Sequence, residues 1–266
     1  MQQSDRYKQG WQKLKEIDGD VGEKVITSLE NISPDLGKLI IEFSFGDIYT
    51  RDGLDLKSKE IAVVAALTAT GNAEPQLRVH LNGALNTGST VNELKEVILQ
   101  MSVYAGFPRC INAMHALKDV LRERQQHNIK DEVGISLVHD SIEDRLTLGE
   151  KVLSELDSTM LEKLKSSFDS LSPDLVRFTL EYGYADIFSR RNLDKKYRQI
   201  ATIAALTAMG NATPQLKFHI NGGLNIGLKV ETVREVMLLM IVYAGFPAAI
   251  NGTNALKEVL AEREPK

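Results

Sequence analysis

The chain has 266 residues, 43% of them hydrophobic, and a formal net charge of -4 with Lys and Arg interspersed among Asp and Glu. That apolar content supports a buried core and excludes disorder of the chain as a whole. Without a concentrated basic face, nucleic acid is excluded as an expected partner. The N-terminus, MQQSDRYKQGWQKLKE, lacks the apolar centre of a signal peptide. No uninterrupted apolar run approaches the ~20 residues of a membrane span. The single cysteine, Cys110, cannot close an internal disulfide, which fits a reducing compartment. A soluble cytoplasmic protein without a membrane partner is the expectation.

Taken in order, the pattern is helical. An N-terminal helix is expected to precede Ser33-Pro34, which pairs a cap with a first-turn proline. Leu36, Leu39, Ile40 and Phe43 then follow the 3–4 spacing of an amphipathic helix. Asp55 caps a predicted helix through Ile61, Val64, Ala65 and Thr68 that ends near Gly71, and Pro75 opens one through Leu77, His80, Leu81, Ala84 and Leu85 that Gly88 stops. Thr90 and Glu93 have capping-box spacing ahead of Leu94 to Tyr104. Gly106 closes that helix, and Pro108 begins the last, through Ile111, Leu117 and Val120.

The whole pattern then returns 139 residues later. GNAEPQLRVHLNGALNTG at Gly71–Gly88 recurs as GNATPQLKFHINGGLNIG at Gly210–Gly227, bringing His80 and His219 into register. Ser33-Pro34-Asp35-Leu36 matches Ser172-Pro173-Asp174-Leu175, and Tyr104-Ala105-Gly106-Phe107-Pro108 matches Tyr243-Ala244-Gly245-Phe246-Pro247. No segment alternates as a strand does, so the fold class is all-α in two tandem repeats: residues 1–125, a polar connector at 126–145, and residues 146–266. The connector lacks Gly, Ser or Pro enrichment and is expected to extend the last helix before crossing to the second repeat.

The segment PQLxxHxxGxLxxG, followed by Glu96-Val97 and then YAGFPxxxN, resembles the carboxymuconolactone decarboxylase family, with its alkylhydroperoxidase-D-like fold, in both repeats. That resemblance implies helical units that pair and then close into rings, so a trimer of two-repeat chains is the expected homo-oligomer. It also implies one of two chemistries. The peroxidase-like branch uses a Cys-x-x-Cys pair ahead of the histidine, where one thiolate attacks and the other resolves. Ala73 and Gln76, and Ala212 and Gln215, stand at those positions, which argues against that branch.

The other branch decarboxylates a small lactone carboxylate of the 4-carboxymuconolactone type without a cofactor. A histidine that titrates near neutrality suits the proton donor, so His80, and more weakly His219, become catalytic candidates. Glu60, on the preceding helix, is the candidate partner of His80. Gln199 stands at the matching position and holds neither charge nor proton, so the two sites should be unlike, with His219 the less basic histidine. Arg51 and Arg190 are candidate anchors for the substrate carboxylate, and Gln199 is a further substrate-binding candidate.

Each assignment has a structural alternative. His80 shares a helix face with Leu77, Ala84 and Leu85 and reads equally as a satisfied core histidine; Glu60 reads as a first-turn acid, and the arginines as partners of Asp47 or Asp55. Tyr104 and Phe107 read as core or interface. His115, His127 and His139 lack ligand spacing, so no metal is expected. Cys110, replaced by Ala249 in the second repeat, reads as a small buried residue. A non-catalytic oligomeric binder of small acids stands as the alternative to the enzyme.

Overall fold

A computed structural model describes residues 4–137 and 144–264. Among these residues every regular element is helical. The first repeat runs α1 Asp5–Leu29, α2 Pro34–Leu39, a π-helix π1 Ile40–Tyr49, α3 Leu56–Thr70, α4 Glu74–Asn86, α5 Val91–Gln100, α6 Ser102–Ala105 and α7 Phe107–Gln126. The second runs α8 Arg145–Leu156, α9 Met160–Phe168, α10 Pro173–Phe178, π2 Thr179–Phe188, α11 Lys195–Met209, α12 Thr213–Asn225 and α13 Val230–Arg263.

The predicted stop and start residues act as their chemistry requires. Asp55 accepts a hydrogen bond from the Ser58 amide at the start of α3, and Thr90 with Glu93 forms a complete capping box on α5. Gly71 and Gly210 terminate α3 and α11 in the left-handed region. Gly106 and Gly245 hold φ of 81° and 84°, which a side chain resists, and so break the helix after each YA pair.

One expectation is corrected. The stretch beginning at Pro34 is not one amphipathic α-helix: it widens into a π-helix after Leu39, and Leu36 and Leu39 are 47% and 56% exposed. The 3–4 spacing there marks an outer apolar face as much as a core stripe. The N-terminal helix also differs between repeats, continuing through a kink at Gly19 in α1 but stopping after Leu156 in the second repeat.

The repeats share a central core. α3 and α11 pack against each other at the centre, and the main apolar cluster runs from Leu14 through Ala65 and Ala204 to Val259, with a second cluster around Leu153, Leu180 and Phe188 in the second repeat. Polar contacts cross the same junction in matched pairs. Arg51 makes a two-pronged bond to Glu235 at 2.8 and 2.7 Å, and Arg190 does the same to Glu96. Phe43 stacks on Phe246, and Phe107 meets Tyr182, the equivalent pair 139 residues away. Two-fold pseudosymmetry therefore interlocks the repeats.

α7 extends to Gln126, and the non-helical stretch after it lies along the first repeat, with the Glu132 and Val133 carbonyls accepting from the Val91 and Asn92 amides of α5. α13 is long and apolar enough, on length and composition alone, to cross a membrane. Gly245 breaks it, and Val233, Val236, Met237, Leu239 and Met240 before the break are buried in the shared core, which accounts for their apolarity.

Candidate active site

The local sequence that terminates π1 and starts α3 delivers Tyr49 and Glu60 to one buried point, where α4 presents His80. His80 Nδ1 donates to Glu60 Oε2 at 2.9 Å, and Tyr49 Oη donates to Glu60 Oε1 at 2.8 Å. Tyr243, from the second repeat, completes the chain by donating to Tyr49 Oη at 2.8 Å, with its ring edge-on to His80 at 4.9 Å. Glu60 is fully buried, so the first-turn, dipole-favoured reading of it fails; its oxygens are spent on His80 and Tyr49. His80 Nε2 has no hydrogen-bond partner among the described residues.

Charge at His80 is set by opposing effects. Burial disfavours the imidazolium, but the Glu60 carboxylate, its hydrogen bond and the Asp18 carboxyl outweigh burial and raise the histidine above its ordinary value. With Nδ1 bound to Glu60, the second proton of an imidazolium resides on Nε2. The arrangement therefore places an acidic N–H where no protein group consumes it.

The second repeat builds a different object from the same scaffold. Gln199 Oε1 accepts from His219 Nδ1 at 3.0 Å, and Tyr104 from the first repeat donates to His219 Nε2 at 2.9 Å. Phe188 stands where Tyr49 stands in the first repeat, so the tyrosine-to-tyrosine bond of the first site has no counterpart here. Phe188 and Phe218 also pack on the ring. Both ring nitrogens are thus satisfied with the imidazole neutral, and burial pushes its pKa down to about 3. The second site buries its histidine with both ring nitrogens bonded.

A sign follows for stability. A depressed histidine lets the unfolded chain bind a proton that the native state refuses, so His219 destabilises the fold as pH falls from ~6.5 toward 3. We expect His219→Gln to flatten the acid side of the stability profile by up to about 1.4 kcal/mol per pH unit. Urea midpoints measured across that range check it; parallel profiles for the two proteins count against it.

Arg51 and Arg190, expected as carboxylate anchors, make no hydrogen bond or ion pair with either histidine cluster. Nor do they pair with the residues the structural alternative named: Asp47 is held by Arg6, and Asp55 caps α3. Their partners are Glu235 and Glu96, across the junction between repeats. Sequence reasoning also missed both tyrosines of the His80 cluster. The replacement of Tyr49 by Phe188, alongside that of Glu60 by Gln199, was the available signal.

The other expectations on titratable groups are simple to place. His115 and His127 are exposed, and His139 lies outside the described residues. No group of three or more ligand side chains among the described residues could hold a metal. Cys110 is buried, donates to the Ile98 carbonyl, and is pushed up to about 11 by burial, which makes it a poor nucleophile.

Two copies of a helical unit, each presenting a histidine from the PQLxxH helix against the preceding helix, define the class of protein. The carboxymuconolactone decarboxylase family model matches residues 34–119 and 173–258, and the chain belongs to that family. It is 38% identical over 127 residues to the 4-carboxymuconolactone decarboxylase of Acinetobacter baylyi, covering 46% of this chain and 92% of that protein. It is 35% identical over 95 residues to a nitrosuccinic acid decarboxylase of Metarhizium robertsii, covering 35% of this chain and 66% of that one. Peroxisomal protein 2 of Saccharomyces cerevisiae matches over a longer stretch, 172 residues at 26% identity, or 56% of this chain and 59% of that protein.

Proposed function

We propose that the chain is a decarboxylase of a small lactone carboxylate of the 4-carboxymuconolactone type, working through the His80 site alone. The observation that carries the proposal is the pairing of His80 Nδ1 with buried Glu60 while Nε2 has no protein partner. Two relatives bearing decarboxylase names support the reaction class.

The chemistry balances with one proton. The bond from the ring to the carboxylate breaks, carbon dioxide leaves, and the electron pair passes into the unsaturated ring toward the lactone carbonyl. His80 Nε2–H then gives its proton to ring carbon, and Glu60 holds the neutral imidazole in the tautomer that keeps hydrogen on Nδ1. One proton from solvent restores the imidazolium. Tyr49 and Tyr243 fix the Glu60 carboxylate, so the first site needs a residue from each repeat. The test is release of carbon dioxide from 4-carboxymuconolactone by the purified chain; a folded protein that leaves the lactone intact removes this substrate from the reading.

We further propose that three chains close into a ring. Leu36, Leu39, Phe246 and Ile250 form an exposed apolar face beside the Phe43–Phe246 stack, and Leu175, Phe178, Phe107 and Ile111 repeat it beside Tyr182. Each pair of equivalents agrees in exposure, as with Phe107 at 59% and Phe246 at 58%. A chain with two equivalent sticky faces favours a closed assembly of copies. Sedimentation equilibrium should give a trimer for the wild type and a monomer for Leu39→Glu with Phe178→Glu; a wild-type monomer at micromolar concentration overturns it.

A further inference from the structure

We propose that Asp18 is a positioning residue of the His80 site: a buried carboxylic acid beside Glu60 that governs how firmly His80 holds its charge. This rests on the reading of His80 as the proton donor. Asp18 comes from α1, outside the segments that match the family, and sits immediately before the kink at Gly19. It is 3% exposed, and its Oδ1 is buried with no hydrogen-bond partner.

The geometry places that oxygen beside Glu60. Asp18 Oδ1 and Glu60 Oε2 both lie against the bare Cα of Gly83, close enough that a methyl group there would sit 2.7 Å from one and 3.0 Å from the other. The titratable groups facing Asp18 are Glu60 on α3, His80 on α4, Tyr49 on π1 and Tyr243 on α13. Only His80 among them can be a cation, and one imidazolium compensates one carboxylate. A second ionised carboxylate in that volume has no counter-charge, so the buried acid keeps its proton. Burial first, with Glu60 adding to it and His80 opposing, pushes Asp18 up to about 7.

The second repeat supplies the contrast. Asp157, the counterpart 139 residues on, ends α8 instead of continuing it; its side chain accepts from the Thr159 amide and hydroxyl and lines an open cleft with Lys217 and Asn221. Its carboxyl is held below the ordinary range: burial opposes ionisation, but the bonds from Thr159 outweigh it. One position thus faces inward, protonated, beside the charged histidine, and outward, ionised, behind the neutral one. As pH rises, ionisation of Asp18 adds negative charge next to His80 and delays loss of the histidine proton.

The experiment is an NMR pH titration of the histidine rings in the full chain, wild type against Asp18→Asn, with Asp157→Asn as control. Asp18→Asn is expected to move the His80 midpoint down by about one pH unit, with His219 unmoved and Asp157→Asn without effect. An unchanged His80 midpoint overturns the proposal. The measurement needs no turnover, so its failure and a failure of the decarboxylase reading are separable. If Asp18→Asn does not fold, the wild type still decides: infrared difference spectra should show a protonated carboxyl that disappears as pH rises through about 7. No such band overturns the proposal.

Discussion

His80→Ala should lower turnover of 4-carboxymuconolactone by about 10²- to 10⁴-fold, the range that a positioned general acid supplies, while His219→Ala keeps turnover near wild type. The asymmetry follows from hydrogen bonding. His80 has a charged partner on Nδ1 and no partner on Nε2; His219 has neutral partners on both nitrogens. Glu60→Gln converts the first site toward the second and is expected to act in a graded, pH-dependent way. His80 must be protonated to act, so activity falls as pH rises past its raised pKa. Without the Glu60 charge that fall should begin at lower pH. Profiles of kcat/KM against pH for wild type and Glu60→Gln read the displacement directly. Loss of turnover in His219→Ala, with His80→Ala and Glu60→Gln active, would falsify the assignment.

Much of this was legible in the residues, and the reason is local. Caps such as Asp55 and the Thr90–Glu93 box depend on neighbours three residues away, so spacing alone reveals them. The exact register of the repeats aligned Glu60 with Gln199 and made unlike sites readable before any geometry. What stayed hidden depends on contacts across the junction. Tyr243 belongs by sequence to the second repeat and by function to the first site, and Tyr104 makes the reverse exchange. Nothing in a chain-order pattern indicates such a crossing. The arginines misled for the same reason: their partners, Glu235 and Glu96, lie 184 and 94 residues away. The π-helices hid differently, because apolar spacing of 3–4 does not distinguish a wide turn from an ordinary one. Asp18 was invisible because its role depends on burial where α1 packs on α4, far from it in sequence.

Glu96→Ala is expected to cost about 3–5 kcal/mol of folding stability, the largest effect of any single change away from the active site. Glu96 is 2% exposed and carries three partners: Arg190, Asn192 and Arg198, the last with a side chain 1% exposed. Burial opposes its ionisation, but the two guanidinium groups outweigh that and hold the carboxyl below its ordinary range. Removing it leaves Arg198 charged, buried, and bonded only to Gln100 and the Arg190 carbonyl. The equivalent change, Glu235→Ala, should cost less. Its partner Arg51 has a side chain 42% exposed and regains water, and Lys59, which replaces Arg198 in the first repeat, already donates to the Tyr49 and Arg51 carbonyls. Chemical denaturation of the two variants beside wild type measures the difference. Adding Arg198→Met to Glu96→Ala should recover part of the loss, because the cost lies in the stranded charge rather than in the missing bonds. Equal costs for Glu96→Ala and Glu235→Ala would mean that burial of the counter-charge does not govern this junction.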